Sequence, residues 1–412
     1  LRKTSPKRAG VTKQCLNQID SIVFEGIAAQ AYPGCRVLAA KGGQVFFDKS
    51  YGHFTYEQKK SVDENTIYDV ASITKVVSTT LSLMHLQDQG HFNVDYNLCD
   101  YLQIDDTTDY FNMNCREILS HYAKLQTWIP FYLETIDNGS LDPSLYRKKV
   151  ENGFTTQVAN DLYILDSYVD TVYGRILDAN LRRKQEYKYS DLGYYFMKNI
   201  IEGITAMPLE EYVDSALYSA LRIKNIGYLP LEKWPASLIA PTEYDLKFRK
   251  QLIQGHVHDP GAAMIGGVGG HAGIFSTAQD LATIMQMLVD EGKYAGQQVI
   301  NSSTIDYYTD CHYCVDDNRR GIGFDKPTSQ LNKGSCCNSA SAESFGHSGF
   351  TGTLVWADPT HDIVYVFLSN RVYPNAENRK LLDMDIRTRI HQVIYDAFEI
   401  PDRPVPAAVA KN

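Results

Sequence analysis

The 412-residue chain is 44% hydrophobic and 22% charged, a globular balance that argues against disorder or a small disulfide scaffold and suffices for one large core or two smaller ones. A net charge of −9, with its only basic cluster at Arg2, Lys3, Lys7 and Arg8, argues against a nucleic-acid partner, since phosphate binding needs a basic face. No run reaches the roughly eighteen apolar residues of a membrane span.

The most apolar segment, residues 362–370, has the length of a strand, so the chain is expected to be soluble. It opens on Leu1 rather than a methionine, as in a mature form that has lost a signal peptide.

Leu16, Ile19, Ile22, Val23 and Ile27 recur at helical spacing across residues 11–30, and Tyr32-Pro33-Gly34 ends that helix. Residues 36–40 and 44–48 flank Lys41-Gly42-Gly43, the composition of a tight hairpin. From Ser72 to about residue 240 the pattern is mainly helical, apart from residues 131–183, which show none. Six glycines in residues 261–273 require sharp turns or close backbone approach, and a helix carrying Leu281, Ile284, Met285 and Leu288 follows. A second hairpin pairs residues 353–357 with 363–368, and a last helix is expected over 380–398. Strands at both ends and helices between predict a sheet lobe from residues 1–70 and 241–412, interrupted by a helical lobe at 71–240.

Eight cysteines are too sparse for a disulfide framework. Cys311, Cys314, Cys336 and Cys337 with His312 superficially offer zinc ligands, but the second pair lacks a spacer; free thiols or a local disulfide are expected. His256, His258 and Asp259 have metal-like spacing on which nothing else converges.

The strongest local pattern is Ala71-Ser72-Ile73-Thr74-Lys75, expected to open a helix with Ile73, Val76, Val77, Leu81 and Met84 on its inner face. Helical spacing puts the Ser72 hydroxyl and the Lys75 amine on one face. A serine hydroxyl needs a neighbouring base to attack at neutral pH, and a lysine kept partly neutral by burial and the helix dipole can serve. The helix start also aims the Ser72 amide at a substrate oxygen. Taken alone, the pair is common by chance and is better read as an N-cap serine followed by a solvated lysine.

Two more segments follow in order: Tyr189-Ser190-Asp191 and Phe345-Gly346-His347-Ser348-Gly349-Phe350. With Ser72 to Lys75 they resemble the three active-site elements of the serine β-lactamase and penicillin-binding protein superfamily, in particular its class C-like branch of β-lactamases, esterases and D-aminopeptidases. Residues 83–102, 269–277 and 349–374 extend the likeness. The resemblance implies a β-lactamase-like α/β (α+β) fold: an antiparallel sheet formed by both chain ends and flanked by helices, plus an inserted mainly helical domain. It implies that Ser72 is the acylated nucleophile, Lys75 its partner and Tyr189 the proton relay. The amides of Ser72 and Phe350 would form the oxyanion hole, and Asp191, His347, Ser348 and Gly349 would meet the substrate. The implied reaction is acylation of Ser72 by an ester, amide or lactam of a small molecule or peptide, then hydrolysis. It needs no metal or cofactor, and relatives imply a periplasmic or secreted place in a bacterium.

Two departures from the family pattern matter. Asp191 stands where many relatives have asparagine; it would hold Lys75 protonated and shift the base role to Tyr189, or bind a substrate amine. His347 stands for lysine, removing a fixed charge that anchors a substrate carboxylate. A peptidase acting on D-amino-acid cell-wall peptides and a binding or sensor module without turnover are the alternatives. His271, and His121 with Tyr122, are expected to be structural, and Trp128, Phe131 and Tyr132 to wall the cleft or fill the core.

Overall fold

The computed structural model describes residues 1–314 and 318–404. The central strands are continuous apolar runs because successive side chains face opposite sides of the sheet and helices cover both. The first segments are β1 (Arg2–Lys3), α1 (Lys13–Ala28), β2 (Gly34–Lys41) and β3 (Gln44–Gly52). Gly42 and Gly43 both take positive φ (58° and 69°), as a two-residue hairpin demands, and set Lys41 opposite Gln44. The other chain end supplies β4 (Phe345–Gly349), β5 (Thr353–Asp358) and β6 (Ile363–Ser369). The six-stranded order β1-β3-β2-β6-β5-β4 joins the two ends through β2 and β6. All pairings are antiparallel except that of the short edge strand β1, which runs parallel to β3.

The longer helices after α1 are α2 (Leu81–Asp88), α3 (Leu192–Thr205), α4 (Ala278–Val289) and α5 (Ile386–Asp396). On one sheet face Val37, Ala39, Leu354, Trp356, Tyr365 and Phe367 share a core with α1 and α5. On the other, Leu38, Ala40, Val355, Ala357, Val364 and Val366 share the main core with α4. Each large apolar side chain buried this way contributes about 1.5–3 kcal/mol. Thr12 caps α1 through the Cys15 amide, and Thr277 caps α4 through the Asp280 amide.

Three expectations change in detail. The Ser72 segment is not a plain α-helix: a 3₁₀ turn (Ala71–Ile73) passes into a π-helical stretch (Lys75–Thr80) before α2. Tyr218 donates to the carbonyl of Val77 (3.0 Å), giving that widened turn an outside partner. The last helix divides into Lys380–Asp383 and α5, because Asp385 adopts a left-handed conformation (φ 50°). Residues 131–183 form small ribbons, Ile136–Asp137 with Ser140–Leu141 and a three-stranded sheet of Tyr146–Arg147, Leu162–Ile164 and Thr156–Ala159, followed by a helix at Tyr168–Leu177.

Candidate active site

Ser72 sits on a turn held from three sides. Ala71 takes φ 53°, a left-handed conformation uncommon for alanine, and its amide donates to Asp69 Oδ1 (2.8 Å). Asp69 Oδ2 accepts from the His258 amide (2.7 Å), and Val70 donates to the carbonyl of Ile274 (3.0 Å) in the glycine-rich stretch. From the β4–β5 turn, the Thr351 and Thr353 hydroxyls donate to the carbonyls of Asp69 (2.7 Å) and Val70 (3.2 Å). A Cβ on Gly349 would fall 2.4 Å from the Val70 oxygen, so only glycine lets β4 lie this close.

The Lys75 side chain is wholly buried. Its ammonium donates to Ser72 Oγ (3.1 Å) and the His271 carbonyl (3.1 Å), and pairs with Asp191 Oδ1 at 2.6 Å. The contact with Asp191 is an ion pair rather than an aligned hydrogen bond. Burial opposes the charge, but the Asp191 carboxylate and the Tyr189 oxygen outweigh it and hold Lys75 above the ordinary lysine range. The partly neutral lysine expected from burial and the helix dipole is therefore not the resting form.

Tyr189 and Asp191 arrive together because their segment is pinned to the 121–127 loop. The Ser190 amide donates to His121 Nδ1 (3.2 Å), its hydroxyl donates to the Gln126 carbonyl (2.6 Å), and the Asp191 amide donates to the Thr127 carbonyl (2.9 Å). His121 also packs on the Tyr189 ring, centroids 4.5 Å apart, so it builds the wall. Burial raises the Tyr189 phenol above its usual value, while the Lys75 charge and hydrogen bonds from Lys75 and Ser72 pull it back.

His347, on β4, is 2% exposed and donates through Nδ1 to the Ser348 carbonyl (2.7 Å). Burial, with Arg320 and Lys75 nearby, pushes it down to about 3, so it is neutral at physiological pH and its Nε2 is a buried acceptor with no partner among the described residues. Ser348 and Gly349 continue the strand, and Phe350 stands exposed beyond it. His271 donates through Nε2 to Asp259 (2.9 Å) and stacks on Tyr195 at 4.5 Å, so it supports the loop whose carbonyl receives Lys75.

Arg320 was not visible as a site residue in the sequence. It is 6% exposed, lies 5.3 Å from the Tyr189 ring centroid, and its Nη1 has no partner among the described residues. Asp325, 2% exposed, faces both Arg319 (2.9 Å) and Arg320 (3.7 Å), so its charge is shared between the two arginines. The only signal was two adjacent arginines in an aperiodic loop.

The metal-like sets resolve otherwise. Cys311 and Cys314 form a disulfide, Cys336 and Cys337 lie in the core beside α5, and His258 pairs with Glu243 (3.1 Å). Among the described residues no group of three or more potential ligands could hold a metal, and no helix is long and apolar enough to cross a membrane.

A two-ended sheet presents a serine on a strained turn, beside a buried lysine, a tyrosine and a neutral histidine, an arrangement suited to serine hydrolysis. The β-lactamase family model matches residues 19–386, and the chain belongs to that family. An Escherichia coli (strain K12) protein named as a D-alanyl-D-alanine carboxypeptidase is 28% identical, over 92% of this chain and 88% of its own length. A penicillin-binding protein homologue from Caulobacter crescentus superposes with a TM-score of 0.64 at 16% identity, covering 94% of this chain and 98% of its own. A hydrolase with promiscuous acyltransferase activity gives 0.64 at 17%, covering 92% and 98%. At those identities the structural likeness shows the fold.

Proposed function

We propose that Ser72 is the acylated nucleophile and that Tyr189, rather than Lys75, takes its proton. The observation that carries this is the buried Lys75 ammonium, 3.1 Å from Ser72 Oγ and 2.6 Å from Asp191. An ammonium has no lone pair to offer, so it acts as a fixed charge. Tyr189 acts as its phenolate, formed when the phenol gives its proton to solvent and stabilised by the Lys75 charge; the Ser72 proton then moves to the Tyr189 oxygen as Oγ attacks a carbonyl of an ester, amide or lactam, and returns from Tyr189 to the leaving group. The amides of Ser72 and Phe350 receive the negative oxygen. Water then repeats the sequence on the acyl-enzyme. In this reading the cleft runs between the sheet lobe and the helical lobe at 71–240. The test is labelling with a fluorophosphonate and a fluorescent penicillin alongside ester turnover: both labelling and turnover should vanish in Ser72→Ala, and turnover that survives there removes Ser72 from the role.

A second reading, a carboxypeptidase on D-amino-acid peptides of the bacterial cell wall, is favoured by Arg320. Its guanidinium restores beside neutral His347 the cation that a terminal carboxylate needs. The relative named as a carboxypeptidase supports it, and such a substrate would put the protein in the periplasm or outside the cell.

A further inference from the structure

An oxyanion hole works only if its donors keep their aim while charge builds on the substrate oxygen. Phe350 stands at the turn between β4 and β5 with 55% of its surface exposed, a place where a residue would ordinarily move. It is clamped instead. Arg371, two residues beyond β6 and only 4% exposed, donates from Nε (2.9 Å) and Nη2 (2.6 Å) to the Phe350 carbonyl. Its Nη1 donates to the carbonyls of Ala376 and Asn378, which fixes the guanidinium from behind. The same guanidinium lies 4.7 Å from the Phe350 ring centroid, and His258 stacks on that ring at 5.6 Å and 25°. Thr351, the next residue, is tied to the Ser72 turn through Asp69.

Every hydrogen bond of Arg371 here goes to a backbone carbonyl. Among the described residues no carboxylate forms an ion pair with it; the Glu243 carboxylate acts on it only through its longer-range field. Burial lowers the guanidinium to about 10, which still leaves it charged at neutral pH. A buried cation without a counter-ion projects its field on whatever lies beside it.

We infer that Arg371 is a positioning residue of the oxyanion hole: its two-pronged bond to the Phe350 carbonyl fixes the orientation of the Phe350 amide, and its buried charge favours the negative oxygen. Gly349, paired with Thr353 in the sheet, holds the peptide on one side of that amide, and Arg371 holds the residue on the other. The inference rests on the reading that Ser72 is acylated and that the Phe350 amide meets the oxyanion.

The experiment compares Arg371→Gln and Arg371→Lys with the parent on a p-nitrophenyl ester and on phosphonylation by a fluorophosphonate, with thermal unfolding recorded for each. Loss of one oxyanion donor lowers kcat by about 10²–10³, so Arg371→Gln is expected to lose at least ~10-fold in kcat with KM within ~3-fold, and to phosphonylate correspondingly slowly. Arg371→Lys keeps the charge without the two-pronged bond and should fall between the two. If Arg371→Gln does not fold, Arg371→Lys with added guanidinium carries the test, and recovery of kcat is expected. Ester turnover that survives in Ser72→Ala overturns the nucleophile assignment and this inference with it. Turnover lost in Ser72→Ala but undiminished in folded Arg371 variants, or a change in KM alone, overturns the inference and leaves the nucleophile standing.

Discussion

The Lys75 ammonium and the Asp191 carboxylate stand 2.6 Å apart, the lysine closed to solvent and the aspartate 23% exposed. That pair decides which group can accept a proton. Replacing Asp191 by asparagine keeps a polar side chain and removes the charge, so burial of Lys75 is no longer offset and its pKa falls. Lys75 then becomes available as a base at lower pH. For Asp191→Asn the rising limb of kcat/KM against pH is expected to move down by about one unit or more, each unit being ~1.4 kcal/mol. A profile identical to the parent's would show that the pair does not set the protonation of the site. Tyr189→Phe should cost about 10²–10⁴ in kcat in the parent background.

Arg320 gives a specificity prediction. A thioester or depsipeptide ending in a free carboxylate should be turned over with higher kcat/KM than its methyl ester, and Arg320→Gln should reduce that preference by about tenfold, since a charge-assisted hydrogen bond contributes ~1.5–3 kcal/mol. Equal turnover of acid and methyl ester by the parent argues for an esterase without a carboxylate site.

Much of this was legible because it is local. Val37 to Ala40 and Val364 to Phe367 face two cores in turn and so read as short continuous apolar runs beside turn residues, and Ser72 with Lys75 are neighbours on one turn. Arg320 and Arg371 were not legible, because their burial and partners come from segments distant in sequence: Tyr189 for one, Phe350 for the other. The ribbons between Tyr146 and Ile164 are too short for periodicity to register, and the left-handed Asp385 breaks an otherwise helical pattern through backbone conformation alone.

His391 predicts acid sensitivity. It is fully buried, accepts from the Cys337 amide (3.2 Å), and burial pushes it down to about 3; His347 is held at about 3 as well. In the unfolded chain both titrate near ~6.5, so the unfolded state binds protons that the native state refuses. Their contribution is intact above that pH and is lost as pH falls toward about 3. Each site adds a slope of ~1.4 kcal/mol per pH unit in that window. Urea midpoints measured from pH 7 down should fall accordingly, and His391→Gln, which keeps an acceptor for Cys337 but does not titrate, should remove about one proton from the slope. An unchanged slope means that His391 binds its proton in the native state.

Gly349 tests how closely the sheet supports the nucleophile. A Cβ there would lie 2.1 Å from Thr353 Oγ1 and 2.4 Å from the Val70 oxygen. The first neighbour is a hydroxyl bonded to the second, and the second is backbone two residues before Ser72, so neither yields without moving the turn. Gly349→Ala is expected to cost about 1–3 kcal/mol in stability through overpacking, and to lower kcat in the protein that remains folded. Thr353→Ala should recover part of the loss, since it clears the nearer clash, and the coupling of the two substitutions measures that contact. Gly174, in the helix Tyr168–Leu177 with open space at its Cβ position, is the control: Gly174→Ala should stabilise by about 0.5–1 kcal/mol and leave turnover unchanged. If Gly349→Ala behaves like Gly174→Ala, β4 does not press on the Ser72 turn as these distances require.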